Sequence, residues 1–180
     1  MDAIVQAKRV LEIFKEMSQI PRESGNEKGI SDYIVNFAKN LGLEVHQDDQ
    51  FNVVIKKPAS PGYENRPSII LQGHIDMVCV RDHDSNHDFS KDPIANIIEG
   101  EWMHADHTTL GADNGMGGAM MLAILEDDSQ QHGPMQLLFT TNEETGMDGA
   151  FAIKEGQVSG DYLLNLDTEV EHDFTVSCAG

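Results

Sequence analysis

Three short apolar runs, residues 68–72, 135–141 and 162–166, constrain this chain most, because each has the length and composition of a strand buried in a sheet rather than of a helix. Helical patterns separate and precede them. Ile4, Ala7, Leu11, Phe14 and Ser18 recur at three-to-four spacing until Pro21 stops the pattern. Ser24-Gly25-Asn26-Glu27 then has the spacing of a capping box. It leads into one stripe of Ile30, Tyr33, Ile34, Phe37, Ala38 and Leu41, which Gly42 ends. Residues 115–126 are apolar almost all round, so they predict a buried helix with Met116, Met120 and Met121 as core filling. Around this frame the pattern predicts a strand at 52–56, a loop at 58–67 and a polar surface loop at 82–93. It also predicts a hairpin of 97–99 and 102–104 about Gly100-Glu101, a short helix at 149–154 and a truncated strand at 174–177. Strands alternating with helices make this an α/β layered fold with at least part of the sheet parallel.

Composition narrows the function. Of 180 residues 31 are acidic and 12 basic, a formal charge of −19, and 39% are apolar. The apolar share supports a core and excludes wholesale disorder. The acid excess argues against nucleic acid or an anionic membrane as partner, and suits a site that collects cations. Lys8, Arg9, Glu12, Lys15 and Glu16 break up any secretory signal, and the longest apolar run, residues 119–125, falls far short of the ~20 residues a spanning helix needs. Cys79 and Cys178 form no Cys-x-x-Cys. Free thiols in a reducing compartment fit this best, a single bridge stays open, and the expected location is the cytoplasm.

The three runs share a second property: each leads into side chains that bind metals. The first is followed by His74 and Asp76, the second by Glu143 and Glu144, the third by Asp167, and Asp113 stands just before the 115–126 helix. Ligands of open α/β sheets bind outside the carboxyl ends of strands, so these segments can aim one imidazole and five carboxylates at one spot. Carboxylates gathered in this way need a compensating cation. Mixed His, Asp and Glu donors suit Zn²⁺ better than Ca²⁺ or Mg²⁺, and one Asp can bridge two ions. Singly, each residue has an ordinary alternative. His74 reads as a satisfied strand-end histidine, Asp113 as a helix cap, Glu143-Glu144 as a solvated loop and Asp167 as an acidic turn. Placement alone leaves a metal site and an acidic rim equally open.

Other motifs fail. The 82–88 loop imitates the start of a calcium-binding EF-hand, but has His87 where Gly is required and Pro93 where Glu is required. The glycine-rich 111–118 stretch lacks the Lys-Ser/Thr of a P-loop, and Met120 replaces the last Gly of a dinucleotide fingerprint.

Gly73-His74-Ile75-Asp76-Met77-Val78, Thr108-Thr109-Leu110-Gly111-Ala112-Asp113-Asn114-Gly115 and Asn142-Glu143-Glu144-Thr145-Gly146-Met147-Asp148-Gly149-Ala150-Phe151 resemble motifs of the co-catalytic zinc peptidases of the carnosinase and aminoacylase clan, in the same order. His87-Asp88-Phe89-Ser90-Lys91-Asp92-Pro93-Ile94 and Ser177-Cys178-Ala179-Gly180 look like its Xaa-His dipeptidase subfamily. The resemblance implies a mixed, largely parallel central sheet with helices on both faces. Residues 1–180 would be the N-terminal part of the metal-binding catalytic domain, with the lid domain and the rest of the catalytic domain absent. It implies two Zn²⁺ ions, with Mn²⁺ or Co²⁺ as substitutes. His74 and Asp167 would bind the first ion, Asp113 would bridge, and Glu144 would bind the second. Glu143 would be the general base, and Asp76 would orient His74. The peptide after Asp113 would be cis. His107 stands where such enzymes usually carry Gly or another residue, and is expected to be tolerated there rather than to reach the site.

The implied activity is hydrolysis of Xaa-His and carnosine-like dipeptides by an activated water. The full-length protein would be a homodimer. The isolated chain, short of a histidine for the second ion, would be nearly inactive. An N-acyl-amino-acid deacylase or tripeptidase of the same family, or a non-catalytic acidic metal-binding module, remain the alternatives. A calcium buffer built on the 82–88 loop ranks last.

Overall fold

The computed structural model describes residues 3–168 and 174–176. Two amphipathic helices open the chain, α1 (Ala3–Ser18) and α2 (Lys28–Asn40). Strands β1 (Glu44–Gln47), β2 (Val53–Lys57) and β3 (Ile69–His74) follow, then a hairpin of β4 (Asn96–Glu99) and β5 (Trp102–Ala105). Helix α3 (Ala112–Glu126) leads to β6 (Met135–Thr140), the short helices α4 (Glu143–Gly146) and α5 (Asp148–Ala152), and β7 (Tyr162–Asn165). One sheet has the order β1-β2-β6-β3-β7, and the hairpin forms a separate two-stranded sheet. β1 with β2 and β2 with β6 are antiparallel, whereas β6, β3 and β7 run parallel, so the sheet is mixed. Because those three strands point the same way, their carboxyl ends share one rim.

Period-two alternation sorts the core. Val53, Ile55, Leu71, Leu137 and Phe139 face the layer of α1, α2 and α3, meeting Phe14, Ile34 and Leu122. The intervening Val54, Ile70 and Leu138 face the other way, against Ile153 after α5 and Val158. Helices therefore lie on both faces, the second covered mainly by short elements. No helix among the described residues is long and apolar enough to cross a membrane.

Several sequence expectations are corrected. The 162–166 run is not a buried strand: Tyr162, Leu163 and Leu164 are exposed, because among the described residues β7 pairs only with β3. Met120 is 41% exposed rather than core filling, since α3 turns that side away from the sheet while Met121 is fully buried. The 149–154 helix is shorter and begins earlier, and β1 and α4 were not expected. Phe174 to Val176 form no strand, and Ser177 lies outside the described residues. Cys79 is free, and Cys178 also lies outside them.

Candidate metal centre

The parallel rim does what the runs suggested. β3 ends in His74, whose Cα pairs with that of Thr140 at the end of β6, while Gln72 pairs with Asn165 at the end of β7. The Leu166 N–H donates to the Gln72 carbonyl at 2.8 Å, which holds the following Asp167 beside β3.

Asp113 arrives by a break in α3. Gly111 precedes it with φ 71, and the backbone leaves helical values at Asp113 (φ −80, ψ 118) and Asn114 (φ −99, ψ 31), across a cis peptide. The N-cap position of α3 is Gly111, and Asp113 lies two residues further on, at the break. Its carboxylate instead faces the ring of His74.

The Glu143-Glu144 pair is set by the preceding turn. Asn142 takes a left-handed φ of 55, and its C=O accepts from the Met147 N–H at 2.8 Å. This aims the N–H groups of Glu143 and Glu144 at Asp76, at 3.1 and 3.2 Å.

His74, 2% exposed, is the hub. Its Nε2 lies 3.1 Å from Asp113 Oδ1, 3.7 Å from Asp167 Oδ2 and 4.0 Å from Glu143 Oε2. Nδ1 lies 3.2 Å from Asp76 Oδ1, at an angle that falls short of a hydrogen bond. Two groups of metal-competent side chains meet at this histidine: His74 with Asp113 and Asp167, and His74 with Glu143 and Glu144. Within each group the donor atoms lie within 4.8 Å of one another. Among the described residues no such group of three joins Asp113 to Glu144. All six residues singled out in the sequence are thus brought to one rim, with Asp76 behind His74.

The electrostatics fit a cation. Burial pulls the His74 imidazole down, but Asp76, Asp167 and Glu143 outweigh it and hold the ring at about 9. Burial pushes Asp76 up, yet His74, the Ser24 hydroxyl and two backbone N–H groups bring it to about 2. Glu144 is raised by burial, against His74, with Asp113 and Glu143 adding to the rise. Asp167 is raised by burial as well, with His74 and Asn114 opposing. Crowded carboxylates of this kind are relieved by a positive ion, and one imidazole with several carboxylate oxygens is a donor set that a divalent metal of the zinc type accepts.

Sequence reading missed the supports beneath this rim. Arg22 is buried, and burial draws its guanidinium down to about 10. The expected capping box does not form: Glu27 is the N-cap of α2 without a side-chain cap bond. Ser24 Oγ donates to Asp76 Oδ2 at 2.7 Å, and Glu27 Oε1 accepts from the Asn142 N–H at 2.9 Å. These tertiary partners win over the local motif. The buried Asn114 donates through Nδ2 to the Leu166 carbonyl at 3.1 Å. No local signal marks Arg22 or Asn114 for these contacts.

His107 has φ 56, and its Nδ1 lies 2.7 Å from Asp82 Oδ2, so it belongs to the exposed loop. A cleft of about 360 Å³ opens beside Glu143 and Asp167, walled by Leu138, Met147, Ile153 and Leu163. A larger groove of about 510 Å³, between α1 and α3, contains none of the candidate ligands.

Residues 70–177 match the model of peptidase family M20/M25/M40. The chain is 46% identical over 169 residues to the cytosol non-specific dipeptidase of Escherichia coli, covering 94% of this chain and 35% of that protein. Its fold superposes on the crystal structure of aminoacylhistidine dipeptidase from Vibrio alginolyticus with a TM-score of 0.88 and 47% identity, over 91% of this chain and 33% of that one. A tripeptidase from Staphylococcus aureus gives a TM-score of 0.76 at 26% identity, over 91% of this chain and 44% of that one. The chain therefore spans about a third of the length of the two dipeptidases.

Proposed function

The chain belongs to peptidase family M20/M25/M40, and from that premise we propose that it is the N-terminal part of a metal-binding catalytic domain whose complete protein hydrolyses dipeptides. The observation that carries this reading is the meeting of Asp113, Asp167 and Glu143 with His74 Nε2, at 3.1, 3.7 and 4.0 Å. His74, Asp113 and Asp167 would hold a first Zn²⁺, Asp113 and Glu144 a second, with Mn²⁺ or Co²⁺ as substitutes. When bound, such ions polarise the peptide carbonyl and make a water easier to deprotonate. The chain's own residues do the rest. Glu143 takes the proton of the attacking water and returns it to the leaving amine nitrogen. Asp76 keeps the His74 ring in place and its Nε2 turned toward the rim. No protein nucleophile is required.

The similarity to the cytosol non-specific dipeptidase of E. coli supports dipeptides as substrates and the cytosol as location, and the similarity to the aminoacylhistidine dipeptidase of V. alginolyticus supports Xaa-His dipeptides among them. The similarity to the S. aureus tripeptidase favours tripeptides as a second reading. For the second ion Asp113 and Glu144 fall short of the three protein ligands usual in catalytic zinc sites. We therefore expect the 180-residue chain to hold that ion weakly and to turn over slowly.

The test uses the complete protein. Xaa-His dipeptides should be cleaved faster than tripeptides or N-acetyl amino acids, and the reverse order would replace the dipeptide reading. Glu143→Gln should lower kcat by ~10²–10⁴-fold, the usual worth of a general base, while metal stays bound. Unchanged turnover would remove Glu143 from the mechanism.

A further inference from the structure

One short connection reaches three of the four segments that carry the candidate ligands. Between α1 and α2, the side chains of Arg22, Ser24 and Glu27 all end on the rim, the first two sharing Asp76. The Arg22 guanidinium donates to the carbonyls of Ile75 and Asp76, both at 3.1 Å, and to that of Gly111. It thereby ties the end of β3 to the turn that carries Asp113. A Cβ on Gly111 would lie 2.5 Å from this guanidinium and one on Gly115 2.6 Å, so glycine at both positions is what lets the arginine sit there. Glu27 holds the Asn142 N–H, at the start of the turn that presents Glu143 and Glu144. Backbone joins the same connection to the rim, since the Met77 N–H donates to the Arg22 carbonyl at 3.1 Å.

Ser24 makes the most consequential of these contacts. Asp76 is fully buried, and its two oxygens divide their partners evenly. Oδ1 faces His74 Nδ1 and accepts the Glu143 N–H, while Oδ2 accepts the Ser24 hydroxyl and the Glu144 N–H. Without the hydroxyl, each oxygen keeps one backbone donor, and the carboxylate loses the shortest of its three hydrogen bonds. A carboxylate held by two longer bonds in place of three holds the His74 ring less firmly, and outer partners of this kind set metal affinity through the ligand they orient.

Resting on the metal-centre reading above, we propose that the 22–27 connection is a positioning element for the centre, and that Ser24 is the positioning residue that fixes Asp76 and, through it, His74. Its effect runs through Asp76 alone. Ser24 touches none of the atoms that would meet a metal or substrate.

The experiment measures Co²⁺ affinity of the folded 180-residue chain by competition with a chromophoric chelator, together with the visible Co²⁺ spectrum. Ser24→Ala should weaken binding about tenfold, the low end of the range for outer partners, and alter the spectrum. Ser24→Thr, which keeps the hydroxyl, should restore both. In an Asp76→Asn background Ser24→Ala should cost nothing more, because two residues acting in series are not additive. Wild-type affinity in Ser24→Ala would overturn the inference while leaving the metal centre standing. An equal loss in Ser24→Thr, or an undiminished loss in the Asp76→Asn background, would overturn it too, since the effect would then be packing. A wild-type chain that is folded yet takes up no Co²⁺ would remove the metal-centre reading and this inference with it.

Discussion

The 82–88 loop and the strand-end rim draw on the same residue types, Asp and His, yet they differ in what surrounds those side chains. In the loop His83 and Asp84 are fully exposed, and their 3.2 Å contact is between sequence neighbours. Asp88 is held low by Ser90 and Lys91, again within one turn of chain. At the rim His74 and Asp76 are buried, and their partners come from Ser24, Asp113, Glu143 and Asp167, far apart in sequence. The same chemistry that water screens in the loop is concentrated at the rim by desolvation and convergence. Acid-rich composition is therefore a poor guide to a site, and topology a good one: three parallel strands ending together create the concentration.

Substitutions can break this contrast, and the largest effect is expected at the hub. His74→Ala should abolish tight Zn²⁺ binding, a loss well beyond the ~10–100-fold of an outer partner, while His83→Ala leaves affinity unchanged in the same chelator competition. Comparable losses in both would show the loop to be the binding region. Asp76→Asn should follow with a loss of ~10–100-fold, measured in the same way, with the chain still folded by circular dichroism.

A third substitution sharpens the packing side of the comparison. Gly115→Ala would place a Cβ 2.6 Å from the Arg22 guanidinium and 2.9 Å from the Phe14 ring. It should destabilise the fold by about 1–3 kcal/mol in denaturant unfolding, as overpacking does, whereas Asp84→Ala in the loop should leave the midpoint unmoved. The smallest effect is expected from His107→Gln. Its partner is Asp82, so Zn²⁺ affinity should be indistinguishable from wild type, and a measurable loss would draw the loop into the centre.

Much of the frame was legible because it is written in period and run length. Apolar runs at 68–72 and 135–141 became the adjacent parallel strands β3 and β6, and the apolar 115–126 stretch became most of α3. The strand-end residues were legible for the same reason: a strand of known direction places whatever follows it. What was not legible depends on partners distant in sequence. Ser24 and Glu27 have capping-box spacing, yet each finds a stronger partner in Asp76 and Asn142. Arg22 carries no local signal at all, since its three carbonyl partners lie 53 to 89 residues away. The 162–166 run has the composition of a buried strand, but burial also requires a neighbour, and β7 has one only on the β3 side among the described residues. Met120 shows the same limit on a helix: an all-round apolar pattern cannot say which side the sheet will cover.

The most direct measurement is anomalous diffraction from crystals of the zinc-loaded chain, collected on both sides of the zinc absorption edge. The account places the strongest zinc peak against His74 Nε2, with carboxylate oxygens of Asp113 and Asp167 as its other protein ligands. A strongest peak elsewhere, in the 82–107 region or at the chain surface, with none at His74, would contradict it.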